Sequence, residues 1–329
     1  MERSGMRHSP TPGFGKEKWR ITLRKSALRA MTDSFVDNLN DIKVVAVEDD
    51  AIAAYTSEDQ FNSLAVELLK EVGSFICVAA CILPADKKCW SRDQAIYGGH
   101  LVRLFKLISA LIDQTCQNRR EIMFLMSRLA FETIVNLAYL IEYQSPKLFE
   151  DYIRYSFRHE KRLHDRIMAN IEARGGIRLP IEDRMLSSIS AAVTRSGLSI
   201  DDLSPNEPKS WGEGSLYQRA KAVGFEMMYL AAFGGGSQNI HGNWMDLLEY
   251  HLDEDAEGFT PSLEWHRPRP QIGLAIAQMA VDVVANFFSF MKAFESVERL
   301  DDRLYDLAER IHRANVSHER FVTNQMKVT

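Results

Sequence analysis

Three polar residues recur at four-residue intervals within the apolar stretch IMFLMSRLAFETIVNLAYLI. At this spacing Arg128, Glu132 and Asn136 would lie on one face of a helix. A helix of this composition is expected to be buried, and a buried charge left unpaired is strongly destabilising. The stripe therefore predicts one of two arrangements. Either Arg128 and Glu132 form an internal ion pair that fixes helix packing, or Arg128 holds an anion in an interior pocket while Glu132 orients it or acts as a base.

The stretch GGGSQNIHGNW is the second candidate for chemistry. Its glycines can end one helix in a left-handed conformation, and Ser237 can cap the next helix. The free N–H groups at such a helix start suit an anion. His241, Trp244 and Leu248 follow helical spacing on an apolar face, where a histidine is usually a satisfied core residue. Beside an Arg–Glu pair the same histidine could instead serve as a general acid or base.

Two basic segments point to a different interpretation, contact with nucleic acid. The segment RYSFRHEKRLHDR places Arg154 and Arg158 on one face of a predicted helix, as either a solvated surface or a track for backbone phosphates. The N-terminal MERSGMRHSPTPGFGKEKWRITLRK is also basic, and its Pro and Gly residues predict a flexible arm. The formal net charge of −5 argues against a generally basic nucleic-acid coat but allows such local patches.

Helices must position these residues, because apolar residues recur at intervals of three and four almost everywhere beyond residue 58. The motif SEDQ resembles a capping box, and HRPRP precedes a long apolar helix. Strand-forming pieces such as IKVVAV are too few for a sheet. The predicted fold is all-α, a single bundle of about nine helices over 57–329, with a basic flexible N-terminal arm and extension over 1–56. The helices are predicted near 59–83, 93–117, 119–143, 146–174, 181–196, 214–233, 238–253, 270–298 and 301–320, with polar loops over 198–213 and 253–270.

The composition limits the cellular setting that we expect. Hydrophobic residues make up 46% of the 329 residues and charged residues 26%, which is the profile of a soluble globular protein. The four cysteines form no CxxC pair, so reduced thiols are expected and a structural zinc site is not. The N-terminus lacks the apolar core of a secretory signal, and no apolar run of membrane length is uninterrupted. The sequence predicts a cytoplasmic protein with no metal, cofactor or membrane association.

The motifs also carry a family resemblance. The block LVRLFKLISALIDQTCQNRREIMFLMSRLAFETIVNLAYLIE, with its Arg-x-x-x-Glu, resembles the start of a bacterial family of helical proteins known as a domain of unknown function. Tyr229 and the later SQNIHGNW resemble the Ser-x-x-x-His segment of the same family, and the similarity spans roughly residues 60 to 295. Related helical proteins occur in phage-defence and abortive-infection loci. Some of them resemble the HEPN superfamily, whose members include metal-independent ribonucleases.

The resemblance implies a definite chemistry. HEPN ribonucleases use an Arg-x(4–6)-His motif, in which the histidine moves the proton of the 2′-hydroxyl and the arginine steadies the phosphate. In this chain the residues at that spacing before His241 are glycines. A HEPN-like site would therefore need Arg128 to reach His241 from another helix. The resemblance also implies a homodimer, because HEPN-like proteins often dimerise around their sites.

The leading hypothesis is a bacterial defence or toxin-type helical protein that binds or cleaves RNA, or binds another phosphate-bearing ligand. Its alternative is a non-enzymatic sensor or adaptor whose polar cluster only locks the bundle. In the enzymatic hypothesis the catalytic residues are Arg128, Glu132 and His241, and the ligand-binding residues are Asn136, Tyr229, Ser237, Asn243, Arg154 and Arg158.

Overall fold

A computed structural model describes residues 39–82, 89–204, 209–230, 242–293 and 299–327. This part of the chain is mostly helical, which confirms the predicted class, and it holds twelve bounded helices rather than about nine. They are α1 (Asp49–Ala53), α2 (Glu58–Ala80), α3 (Arg92–Cys116), α4 (Arg120–Glu142), α5 (Pro146–Ser156), α6 (Arg158–Ala173), α7 (Pro180–Arg195), a 3-10 helix (Ile200–Asp202), α8 (Leu216–Ala222), α9 (Trp244–Tyr250), α10 (Pro270–Phe290) and α11 (Leu300–Met326). Two short strands, β1 (Leu252–Asp255) and β2 (Gly258–Pro261), lie between α9 and α10.

Serine caps begin two of the long helices. The predicted capping box in SEDQ is confirmed, since the Ser57 N–H donates to Gln60 Oε1 at 3.2 Å. The same arrangement begins α3, where the Ser91 N–H donates to Gln94 Oε1 at 3.1 Å and the Gln94 N–H donates to Ser91 Oγ. Each box satisfies donors at a helix start that have no partner within the helix. Local sequence therefore determines where these helices begin.

The bundle core forms around α10, which is apolar on nearly all sides. This helix packs against α2, α4 and α11, while α3 packs between α2 and α4. Fully buried side chains such as Phe131, Ile134 and Val284 fill the space between them. Each such side chain contributes about 1.5–3 kcal/mol when it leaves water. One side of α4 packs against the shorter α8, and Asn136 of α4 lies at that contact.

Three predicted helices are shorter or divided. The predicted helix 146–174 is wrong as a single element, because Phe157 leaves helical geometry (φ −90°, ψ 3°) between α5 and α6. The predicted helix 214–233 is interrupted after α8, where Gly224 takes a positive φ of 81°. Of the predicted helix 238–253, the described residues are helical from Trp244 to Tyr250. Asn243 Oδ1 accepts the Asp246 N–H at 3.1 Å and so caps the start of α9.

The predicted polar loop 253–270 contains a small β-hairpin, which the sequence analysis did not predict. Strands β1 and β2 pair antiparallel, with Leu252 opposite Pro261 and Asp255 opposite Gly258. Asp255 Oδ1 accepts the backbone N–H groups of Glu257 and Gly258, at 2.8 and 3.0 Å, and so forms the turn. A short-range side-chain contact thus builds a hairpin that hydrophobic periodicity does not show.

The segment before α2 packs onto the bundle. Leu39, Ile42, Val47 and Ile52 belong to the same core as the long helices. The segment is also tied by polar bonds, because the Val45 N–H donates to Glu71 at 2.8 Å. These residues fall within the predicted N-terminal extension, and the predicted domain boundary at residue 57 stays a prediction.

Among the residues that the structure describes, three helices are long and apolar enough to cross a membrane, as judged by length and composition alone. They are α3, α4 and α10, and 39%, 67% and 61% of their most apolar windows are buried inside the protein. The cytoplasmic location expected from the sequence stays a prediction.

Candidate functional site

The predicted polar stripe lies on α4, as its spacing requires. Arg128 is half-buried, Glu132 is exposed and Asn136 is 8% exposed. The stripe therefore runs from the bundle surface at Glu132 to the buried contact with α8 at Asn136. At the buried end of the stripe, Asn136 lies beside a charged residue that was not predicted from the sequence.

That residue is Arg219, which α8 buries to 6% exposure. Its Nε donates to Asn136 Oδ1 at 3.2 Å, and its Nη1 donates to the carbonyls of Trp211 at 3.1 Å and Gly214 at 2.5 Å. The guanidinium also lies 4.3 Å from the centre of the Trp211 ring. Within the part of the chain that the structure describes, no carboxylate lies within ion-pair distance of Arg219 and its Nη2 makes no hydrogen bond. Arg219 is thus a buried cation held by neutral acceptors.

A tight turn places the Trp211 and Gly214 carbonyls within hydrogen-bond distance of Arg219. Gly212 and Gly214 have φ values of +59° and +101°, which favour glycine, and a side chain at Gly212 would meet Tyr139 at 2.6 Å. Ser215 then caps α8 by accepting the Gln218 N–H at 3.3 Å. The turn and the cap fix Arg219 one helical turn into α8.

Charge around this guanidinium is only partly balanced. Burial lowers the pKa of Arg219, and the negative charge of Glu132 acts against that shift. Glu132 is exposed and makes no ion pair with the described residues, so it interacts with Arg219 at longer range. Among the described residues, no carboxylate contacts Arg219, and Glu132 acts on its charge from a distance.

A neutral histidine–tyrosine pair lies next to this cation. His100 Nε2 and the Tyr152 hydroxyl are 3.1 Å apart, and the Tyr152 and Trp211 rings meet edge to face at 4.9 Å. Burial, with a smaller contribution from Arg103, lowers the pKa of His100 to about 4. Burial also raises the pKa of Tyr152. Both side chains are uncharged near neutral pH, so they contribute hydrogen bonding rather than charge.

A second arginine borders the cluster. Arg103 is exposed on α3, and its Nε donates to Thr133 Oγ1 at 3.1 Å. Thr133 in turn donates to the Leu129 carbonyl at 2.7 Å, so its hydroxyl is held in place to accept. Arg103 has no carboxylate partner among the described residues and is exposed to solvent.

These groups together suit the binding of an anion, because arginine donors favour phosphate and carboxylate oxygens. The Trp211 ring is buried and packs against the Arg219 guanidinium, whereas the Tyr152 ring is partly exposed. No group of three or more His, Cys, Asp or Glu side chains within the described ranges is placed to hold a metal.

The remaining predicted site residues are spread over several elements. Tyr229 reaches α4 through Phe131, at 6.3 Å between ring centres, and also meets Tyr217 at 5.2 Å. Asn243 uses its side chain to cap α9. His241 and Ser237 lie outside the described residues, so their proximity to Arg128 and Glu132 stays a prediction.

The two arginines of the basic segment do not share one helix. Arg154 lies in the last turn of α5, where its Nε donates to Glu150 at 2.9 Å and its Nη1 donates to the Asp202 carbonyl. It thereby ties the 3-10 helix to α5. Arg158 begins α6, beyond the break at Phe157. The single helix on which the common face was predicted is therefore wrong, and the common face and a ligand-binding role for either residue stay predictions.

Sequence reasoning missed the residues that complete the cluster. They come from three helices and one turn: His100, Arg103, Tyr152, Trp211 and Arg219. One weak signal was present, since His100 and Arg103 are three residues apart and would share a helical face. Nothing local marks Arg219, because its burial depends on a turn and on α4.

Comparison with known families places the site within a recognised domain. The model of a family of unknown function (DUF5677) matches residues 94–259, half of the chain, and includes α4, α8 and the turn between Trp211 and Gly214. The chain belongs to this family, which confirms a helical domain of unknown function. No curated protein and no solved structure matches the chain.

Proposed function

We propose that this protein binds a phosphate-bearing ligand, with RNA as the candidate, at the cluster around Arg219. The observation that supports the proposal is a buried guanidinium without a carboxylate partner in the described chain. A buried cation is normally neutralised by a carboxylate, since an unpaired buried charge is costly. An external phosphate would supply that missing charge, and Nη2 of Arg219 is the donor left for it.

The surroundings of Arg219 favour a nucleotide over a simple ion. Tyr152 is a partly exposed ring beside the cluster, and Arg103 adds a second cation at the surface, whereas Trp211 is buried and packs against the guanidinium. Stacking on an aromatic ring together with arginine contacts is how single-stranded nucleic acids are bound without sequence readout. The exposed position of Glu132 sets the limit of the site on its solvent side.

Metal-independent RNA cleavage is the enzymatic form of the proposal. It rests on the resemblance to HEPN ribonucleases and retains the roles predicted from sequence. His241 is the general acid or base, Arg128 stabilises the anionic transition state, and Glu132 holds one of them in place. A defence or toxin role would follow from such an activity, and the homodimer implied by the same resemblance is measurable by analytical ultracentrifugation.

The binding proposal is tested with a fluorescently labelled single-stranded RNA at low and moderate salt. Wild type is compared with Arg219→Lys, which keeps the charge but loses the forked donors. Arg299→Lys is the matched control, because Arg299 is exposed and its ion pair among the described residues is with Asp302. We expect affinity to fall about tenfold or more in Arg219→Lys and to stay unchanged in the control, since a charge-assisted bond contributes about 1.5–3 kcal/mol. Absence of binding by wild type would overturn the proposal.

The enzymatic form has its own test. RNA integrity is compared in cells after induction of wild type, His241→Ala and Arg128→Ala. Faster RNA loss with wild type than with both variants supports cleavage. Equal loss in all three contradicts it while leaving the binding proposal intact.

A structural role is the second candidate, and the bonds of Arg219 favour it. They fasten the turn at Trp211 and Gly214 to α4 through Asn136. A sensor or adaptor module built this way would lose thermal stability in Arg219→Lys, while neither wild type nor variant would bind RNA.

A further inference from the structure

We propose that the N-terminal segment KWRITLRK, residues 18–25, docks as a third strand on the β-hairpin of the same chain. The docking surface consists of α9, the hairpin and the segment that follows it, over residues 244–265, and we call it the hairpin surface. Such docking is independent of the proposed RNA binding, because it involves neither Arg219 nor a ligand from outside the chain.

Large apolar side chains are exposed along the hairpin surface. Trp244 and Phe259 meet edge to face at 5.5 Å, and about half of each side chain remains exposed to solvent. Leu263 is 91% exposed, and Trp265 is also about half exposed. Single apolar residues are common on protein surfaces, but several large ones close together mark a site of interaction. The hairpin surface therefore has the character of one side of an interface.

The hairpin surface is also strongly acidic, since residues 242–266 contain no lysine or arginine. Its exposed carboxylates, none of which forms an ion pair with a described residue, are those of Glu249, Asp253, Glu254, Asp255, Glu257 and Glu264. Arg119 contacts the Trp265 ring and Arg267 pairs with Asp59, so these neighbouring cations have other partners. A basic segment that carries apolar side chains matches both properties of the surface.

The hairpin offers backbone edges to such a segment. It has two strands within the described residues, so each strand has one edge without a strand beside it. The N–H and C=O groups of an open edge pair readily with another extended segment. The register places Phe259 opposite Glu254 on one face, which Trp244 contacts, and Asp253 and Asp255 on the other face. We call the first the aromatic face and the second the acidic face.

The N-terminal segment has two matching faces in its sequence, because residues 18–24 alternate strictly between polar and apolar types. The apolar residues are Trp19, Ile21 and Leu23, and the residues between and after them are Arg20, Thr22 and Arg24. A period of two is typical of a strand whose two faces have different surroundings. As a third strand, the segment places its apolar residues on the aromatic face and its arginines on the acidic face.

Charge favours this segment over other occupants of the hairpin surface. Contact between the hairpin surfaces of two copies would bring like charges together, which opposes a symmetric dimer there. RNA is repelled for the same reason, since its phosphates are negative. Against the two acidic residues Glu2 and Glu17, residues 1–25 contain seven basic ones, which are Arg3, Arg7, Lys16, Lys18, Arg20, Arg24 and Lys25. The N-terminal part of the chain thus supplies the complementary charge.

The hairpin surface is held in a fixed position on the bundle. His266 Nδ1 lies 3.1 Å from Glu121 Oε1 in the first turn of α4, and the His266 carbonyl accepts the Arg120 N–H at 3.1 Å. The Ser262 N–H donates to the His251 carbonyl at 2.9 Å and so ties the end of the hairpin to the end of α9. A platform that is already ordered lowers the entropic cost of docking a segment.

The chain between the segment and the bundle is long enough for docking. The carbonyl of Leu39, the first described residue, accepts a hydrogen bond from Arg303 at 2.6 Å, and Arg303 lies 5.6 Å from the Phe75 ring of α2. Asn62, near the start of α2, donates at 2.9 Å to the carbonyl of Pro268, which follows the hairpin surface. The part of α2 between Asn62 and Phe75 is about 20 Å long. The sixteen residues before Leu39 can extend over about 50 Å, so the segment reaches the hairpin of its own chain.

Hydrogen–deuterium exchange of the purified full chain, followed by mass spectrometry without RNA, tests the docking from the side of the segment. The arm variant combines Arg20→Glu and Arg24→Glu. Its matched control combines Arg3→Glu and Arg7→Glu, which changes the charge by the same amount outside the segment. Melting temperatures confirm that each variant is folded.

The hairpin variant Asp253→Lys tests the same contact from the other side, because it reverses a charge of the acidic face. Its matched control is Glu172→Lys, since Glu172 is also an exposed carboxylate but lies on α6. We expect the amides of residues 19–24 to exchange at least about tenfold more slowly in wild type and both controls than in the arm and hairpin variants, which corresponds to docking by about 1.4 kcal/mol. The hairpin amides should lose protection in the same two variants.

Co-expression of the arm variant with the hairpin variant distinguishes docking within one chain from docking between two copies. Docking within one chain predicts that both chains of the mixture stay unprotected. Restored protection would mean that the segment of a second copy occupies the hairpin surface, which would overturn the proposal. Wild-type exchange as fast as that of the arm variant would overturn it too, as would protection of residues 19–24 that persists in Asp253→Lys.

Discussion

Arg219 and Arg310 are both buried arginines, 6% and 4% exposed, but they are held by different chemistry. Arg310 donates from Nη1 and Nη2 to the two carboxylate oxygens of Glu71, both at 2.7 Å, and from Nε to Asp306 at 2.8 Å. Among the described residues, Arg219 donates only to an amide oxygen and two backbone carbonyls. Within that part of the chain, carboxylates neutralise the Arg310 guanidinium and none pairs with the Arg219 guanidinium.

The difference separates a structural cation from a candidate binding cation. Burial acts to lower the pKa of both residues. At Arg310 the bonds to Glu71 and Asp306 outweigh burial and raise the pKa, whereas at Arg219 burial prevails. Arg310 also donates to the Val45 carbonyl and so joins α11 to the segment before α1. The charge of Arg310 is therefore paired within the fold, whereas the described partners of Arg219 are all neutral, which is why we propose Arg219 as the binding residue.

The largest expected effect comes from breaking the Arg310 pair. In Glu71→Gln the Arg310 charge stays buried without its main partner, so the free energy of unfolding should fall by about 3–5 kcal/mol. Denaturant unfolding followed by circular dichroism measures this. Glu132→Gln is the matched control, because Glu132 is the carboxylate that acts on Arg219. Since Glu132 is exposed, this substitution should change the free energy of unfolding by no more than about 0.5 kcal/mol. Equal losses of unfolding free energy in the two variants would show that Glu71 and Glu132 do not differ in their contribution to stability.

Acid should weaken the Arg219 region through His100. The His100 pKa is about 4 when folded and 6.5 when unfolded, so between these values the unfolded chain binds a proton that the buried ring does not. This contribution to stability is complete above pH 6.5 and is lost as the pH falls towards 4, by about 3 kcal/mol at most. Melting temperature against pH measures the loss.

His100→Gln should flatten that pH dependence. His159→Gln, on the exposed face of α6, is the control and should leave the slope as in wild type. Part of the slope will remain in both, because burial also lowers the pKa of His318 near the Arg310 region. An unchanged slope in His100→Gln would contradict the prediction.

Removing Arg219 should cost less than removing Arg310. Arg219→Met leaves two carbonyls and an amide without their donor, which is expected to lower stability by about 1–3 kcal/mol. Arg310→Met leaves the buried Glu71 carboxylate uncompensated and should cost about 3–5 kcal/mol. The same unfolding measurement ranks the two variants, and a reversed order would mean that Arg219 is the more structural residue.

The smallest change in stability should come from making the two sites alike. Asn136→Asp places a carboxylate against Arg219 Nε, where the amide oxygen now lies at 3.2 Å. Because a buried ion pair often gains little net free energy, stability should change by about 1 kcal/mol or less. RNA affinity, measured by fluorescence anisotropy, should fall strongly because the cation is neutralised internally. Unchanged affinity would separate ligand binding from the charge of Arg219.

The α4 stripe was predictable because it depends only on helical periodicity. The apolar residues of IMFLMSRLAFETIVNLAYLI set the helix, and the spacing of Arg128, Glu132 and Asn136 then fixes their common face. The capping box in SEDQ was predictable for a similar reason, since its bonds join residues three apart. The break at Phe157 and the hairpin after α9 were not, because they depend on turn geometry and side-chain bonds that leave no periodic signal.

The amino-acid sequence by itself determined a helical fold, the polar face of α4 and the two candidate motifs with Arg128, Glu132 and His241. Only the tertiary structure showed that Asn136 meets Arg219, that His100 meets Tyr152 and that Glu121 meets His266. The physical reason is distance along the chain. Periodicity and capping act over three or four residues, whereas each of these contacts joins helices or segments that come together only when the bundle closes.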